Sequence, residues 1–73
     1  MKEYKATGDN TEIFKSLNEA IGFALTDTAN TGRTGYVIEV DSEDPLRREG
    51  KHLYEFIYLY DNVVVKILDP RFV

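Results

Sequence analysis

The residues able to do chemistry are few and scattered along the chain. His52 is the single histidine, and it stands among Glu49, Lys51 and Glu55. On a catalytic frame that grouping would make a general base with a carboxylate to orient it. A lone histidine among charged loop residues is more simply a solvated surface group. Ser16 and Ser42 would attack only if activated by a base, and neither carries the sequence signature of one; a helix cap already accounts for Ser16. The stretch TGRTG, residues 31–35, suggests a phosphate loop. It lacks the length and the closing Lys-Ser/Thr of a P-loop and leads into a strand, so it reads as a helix stop and a turn. DSED, residues 41–44, offers hard oxygen donors for calcium without the ligand spacing or central glycine of an EF-hand loop. Arg47-Arg48 sits beside Glu43, Asp44 and Glu49, a locally balanced turn. The expectation is a protein that is not an enzyme, with no catalytic residue, no cofactor and no metal site.

Two other features have more to say about binding. The first is charge. Nine of the 13 acids precede residue 45, against four of the nine bases, within a net charge of −4. Glu19, Asp27, Glu39, Asp41, Glu43 and Asp44 are interrupted between residues 16 and 44 only by Arg33, and they form a candidate acidic partner-binding surface. Carboxylates on a rigid surface can imitate the phosphate charge that basic proteins recognise. The same acidity disfavours direct binding of nucleic acid. Ordinary solubility is the simpler account of such a charge.

The second feature is LYEFIYLYDNVVVKILD, residues 53–69, which is apolar on both strand faces. With Asp61-Asn62 as the loop, Tyr54, Phe56, Tyr58, Tyr60, Val63, Val65 and Ile67 share one face. Leu53, Glu55, Ile57, Leu59, Val64, Lys66 and Leu68 share the other. A single helix covers one face, and the pattern leaves open which. Leu53, Ile57, Leu59, Val64 and Leu68, with Val37 beside them, form a candidate dimer or partner interface, since large exposed apolar patches mark interaction sites. The competing arrangement folds Phe72, Val73 and the 41–52 loop over that face. Aromatic rows on open sheets also stack single-stranded bases, but that mode needs a positive groove.

The elements that position these residues are legible in outline. Lys2–Thr7 reads as a strand, Gly8-Asp9-Asn10 as a turn, and Thr11–Lys15 as a return strand or an extended lead-in. SLNE is a capping box on Ser16 and Glu19. It opens an amphipathic helix of roughly 13 residues, with Leu17, Ala20, Ile21, Ala24, Leu25 and Thr28 on one face and Gly32 as its left-handed stop. Phe23 lies off that stripe and suits a sheet edge. Thr34–Val40 is a third strand, and Leu46–Glu49, after Asp44-Pro45, a single helical turn. The expected fold is α+β in the order β-β-α-β-β-β, one amphipathic helix on a mostly antiparallel five-stranded sheet, as one small domain over residues 1–73.

Length and composition set the frame. A chain of 73 residues buries only about 60% of its unfolded surface. It has no cysteine, so disulfides cannot supplement its core, and self-association is the expected supplement. No signal-like or membrane-spanning run is present, and the expectation is a cytoplasmic protein without a membrane partner.

The stretch YKATGDNTEIFKSLNEAIGFA, with the small size, lack of cysteine and acidic balance, resembles small phage-encoded host-takeover inhibitors. DNA-mimicking inhibitors of bacterial histone-like HU proteins are the nearest in character. The resemblance is one of size, pattern and charge, and the chain departs from an extreme mimic in its nine basic residues. It implies a homodimer that offers an acidic surface to the nucleic-acid-binding site of a basic host protein. The alternative is a hydrophobic adaptor or assembly module that docks through the exposed sheet face.

Overall fold

The computed structural model describes residues 1–46 and 48–72, with Glu49 by its backbone alone. The N-terminal hairpin pairs β1 (Lys2–Thr7) with β2 (Thr11–Phe14), with Tyr4 opposite Phe14 and Thr7 opposite Thr11. Helix α1 (Leu17–Thr31) follows. Its start is local chemistry: Ser16 is extended, and its Oγ accepts the Glu19 N–H at 3.4 Å. Its stop is equally local, because Gly32 adopts φ 74° and donates its N–H to the Thr28 carbonyl at 2.9 Å.

Strands β3 (Gly35–Asp41), β4 (Glu49–Leu59) and β5 (Asn62–Ile67) complete the fold, and a 3-10 turn spans Pro70–Phe72. The sheet order is β2-β1-β3-β4-β5 with every neighbour antiparallel, so the expected α+β architecture and element order stand. Helix α1 connects an edge strand, β2, to the central β3 by passing over β1. Among the described residues no helix is long and apolar enough to cross a membrane.

The core lies between helix and sheet. Ala20, Ala24 and Thr28, spaced four apart on the helix, are buried against Ala6, Val37, Leu53 and Phe56. Small helical residues let the two layers approach closely, and Gly35 completes the fit. A Cβ there would meet Thr28 Oγ1 at 2.9 Å and the Thr7 carbonyl at 3.1 Å. Phe23 packs on Phe14 of edge strand β2, ring centroids 5.4 Å apart, which is the edge cover expected of it.

Several local expectations are corrected. Val37 faces the helix, because it lies opposite Ala6 on β1 and Tyr54 on β4. Leu53 belongs to the core and is fully buried. A register shift between Val37 and Ile38 inserts Leu53 as an extra residue on β4 and frees it from the strand's alternation. The β4–β5 turn is Tyr60-Asp61, with φ 51° and 63°, in place of Asp61-Asn62. Leu59 therefore faces Asn62, and Tyr58 faces Val63. The slip moves the register by two residues, so the side chains keep their faces. Finally, β4 begins at Glu49, where a helical turn over Leu46–Glu49 was expected; Arg47 lies outside the described residues. Asp44 instead closes a turn, its Oδ1 accepting the Leu46 N–H at 3.0 Å.

Candidate interaction surface

The pleat and the helix contacts settle which face is spare. Tyr54, Phe56 and Tyr58 on β4, opposite Ile67, Val65 and Val63 on β5, lie on the helix side. The opposite face carries Tyr36, Ile38 and Val40 from β3, then Glu55 and Ile57 from β4 and Val64 and Lys66 from β5. It has two regions. Around β3 it is dry: Ile38 and Val40 are buried, His52 lies opposite Ile38, and its ring meets Tyr36 edge-on at 5.5 Å. Tyr36 Oη donates to Glu55 Oε2 at 2.8 Å, and that carboxylate holds the phenol above its ordinary pKa. His52 is thus packed on an aromatic ring at the surface.

Toward β5 the same face is open and apolar. Leu59 and Val64 are each 46% exposed, Leu68 is 36% exposed, and half-buried Ile57 stands directly opposite Val64. Four of the five residues expected on the spare face are therefore together there, and Leu53 is not. Residues 70–72 do not cover them. Phe72 packs on Tyr54, ring centroids 5.5 Å apart, on the helix side. Arg71 anchors that segment: it donates to Asp69 Oδ2 at 2.7 and 3.0 Å and to Glu39 Oε2 at 3.3 Å. The paired guanidinium holds the Asp69 carboxyl below the usual range. Val73 lies outside the described residues.

The six acids stand in different settings. Asp27 is a structural clasp: its carboxylate accepts the N–H groups of Asp9 (3.0 Å) and Asn10 (3.3 Å) and the Asn10 side-chain amide (2.9 Å). The amide and the two backbone donors outweigh partial burial and lower its pKa. Glu39, on the helix side opposite Tyr4, meets Arg71 and Lys2, the latter at 3.8 Å. Asp44 meets the Leu46 N–H and Arg48 Nε, both at 3.0 Å, which depress its pKa. Glu19, in the first helical turn, Asp41, the last residue of β3, and Glu43, just beyond it, are exposed. Asp41 Oδ1 accepts the Glu43 N–H at 2.9 Å, so this pair forms a turn of its own. Among the described residues no group of three His, Asp or Glu side chains is placed to hold a metal ion.

Two exposed residues escaped the sequence reading of the interface. Val65 (45% exposed) and Ile67 (43%) belong to the helix-side set, yet they extend past the helix because β5 is the sheet's outer strand. Strand order is a long-range property, and the only local signal was that NVVVK is apolar at successive positions. Compared with known protein families, curated proteins and solved structures, the chain finds no match.

Proposed function

We propose that this chain is a protein-interaction module that docks a partner on the β4–β5 end of its open sheet face. The observation supporting this reading is the cluster of Ile57, Leu59, Val64 and Leu68, apolar and part-exposed on a face that neither the helix nor residues 70–72 cover. Burying such surface yields about 25 cal/mol per Å², a useful gain for any complex. The polar edge of the patch, Glu55 opposite Lys66, can set orientation. The test is a paired replacement, Leu59→Lys with Val64→Lys. Both side chains point to solvent, so the fold should survive while a partner captured by the wild type is lost. Partner retention by a folded double variant would refute the docking face.

A second reading is favoured by the exposed Asp41–Glu43 turn. It is an inhibitor of the phage type, which would occupy the nucleic-acid-binding site of a basic host protein. It ranks second because Asp27, Glu39 and Asp44 already have internal partners. Its signature is the reverse one: Asp41→Lys with Glu43→Lys abolishes binding, and added salt weakens it.

A further inference from the structure

The outer edge of β5 is a second surface, distinct from the docking face and independent of that proposal. The Leu68 N–H donates to the Leu53 carbonyl at 2.9 Å, so Leu53 and Leu68 form a hydrogen-bonded pair. Such pairs alternate along an antiparallel ladder. Glu55–Lys66, Ile57–Val64 and Leu59–Asn62 are then of the same kind. The main-chain groups of Asn62, Val64 and Lys66 point to β4, and those of Val63, Val65 and Ile67 point away from the sheet. Three residues thus leave three N–H and three C=O groups along an edge with no neighbouring strand among the described residues.

Natural edges are blunted by proline, bulges, charge or brevity. Here β5 has six residues, no proline, an unbroken register with β4 and one charged side chain, Lys66. The other edge, β2, has four residues, Glu12 among them. The two edges of one sheet are therefore managed differently, and β5 is the one left able to pair.

We infer that β5 pairs antiparallel with β5 of a second copy, about a two-fold axis at Val65. A perpendicular two-fold keeps each residue on its own face, so only registers centred on a residue are allowed. Centring on Val65 sets Val65 against its own copy and Val63 against Ile67 of the second copy. All outward groups are then satisfied, three donors from each chain meeting three acceptors of the other. Val and Ile pack along the helix side, where these side chains are part-exposed in the single chain. Pairing with a second copy sets no like charges opposite one another along the joint, since Lys66 is the one charged side chain of β5. Lys66 falls opposite Val64 of the second copy, and each Lys66 retains Glu55 directly across its own sheet. The joint is narrower than the roughly 800 Å² per partner of a standard interface, so association is concentration-dependent. It unites two open faces into one, doubling the Ile57–Val64 patch.

Sedimentation of the full chain from micromolar to roughly 1 mM, a range suited to small interfaces, tests this directly. The expected result is a shift from one to two chain masses. Val65→Pro removes an outward N–H and leaves the β4 ladder donors in place; Ile67→Lys adds an edge charge by an independent route. Each should give a folded monomer by circular dichroism, with the dimer midpoint raised at least tenfold. Should the proline variant fail to fold, the lysine variant decides. A wild type that stays monomeric throughout, or a dimer indifferent to Ile67→Lys, overturns the inference. Leu59→Lys with Val64→Lys, which disables the docking face, keeps the two proposals distinguishable through partner capture by β5-edge monomers.

Discussion

Replacing Asp27 with alanine tests whether this helical carboxylate is a clasp or a recognition group. In the fold it accepts three N–H donors, from Asp9 and twice from Asn10, at 3.0, 3.3 and 2.9 Å. A buried hydrogen bond to a charged group contributes 1.5–3 kcal/mol, but exposure to water reduces this to about 0.5 kcal/mol each. Asp27→Ala should therefore cost about 1.5 kcal/mol, which for a domain this small lowers Tm by roughly 6–12 °C. The assay is urea unfolding at several pH values. Its folded-state pKa lies below the unfolded one, so the stabilisation is fully present above the ordinary carboxylate pKa. It disappears as pH falls through the folded value, and the gap between wild type and variant should close there. Gly8 supplies an internal control, since a Cβ there would lie 2.7 Å from Asp27 Oδ2. Gly8→Ala should destabilise the wild type and do much less in the Asp27→Ala background. An Asp27→Ala variant within about 0.3 kcal/mol of wild type, or a gap that persists in acid, would refute the clasp.

Two further substitutions probe the turn and the core. Tyr60 and Asp61 hold left-handed angles that cost L-residues roughly 1–2 kcal/mol apiece. Tyr60→Asn with Asp61→Gly should raise stability by about 1 kcal/mol after glycine's greater unfolded-state entropy is counted; lower stability in urea would refute backbone strain at this turn. Thr28 Oγ1 is buried with no hydrogen-bond partner among the described residues. Thr28→Val removes an unsatisfied hydroxyl at nearly constant shape and should add about 1 kcal/mol, whereas a thermal melt showing destabilisation would reveal a partner for that hydroxyl.

What was legible in the sequence was local. Ser16 and Gly32 announce the helix because a cap and a left-handed stop depend on few neighbouring residues. The alternation in β1 and the stripe of Ala20, Ala24 and Thr28 likewise needed no distant partner. The faces of the last hairpin survived a misplaced turn because the error was even. Its turn was misassigned because Asn62 is the better residue for positive φ, yet Tyr60 and Asp61 take those angles. Leu53 could not be placed without β3, since its orientation follows from a register shift between two strands far apart in sequence. The internal partners of two acids were hidden for the same reason. Asp27 is satisfied by a turn 17 and 18 residues earlier, and Glu39 by Arg71, 32 residues later. A charge list contains none of those distances.

The inequality of the two sheet edges bears on how far assembly can run. A strand that pairs with its own copy about a two-fold is used up in a single step, so the product exposes only the opposite edge at either end. That edge is β2, four residues long, with Phe14 engaged by Phe23. It is too short to template another sheet of the same kind. In the β5-paired dimer proposed above, growth therefore terminates at two chains, and the apolar strand that would seed a fibre in an open-ended arrangement is consumed by closure.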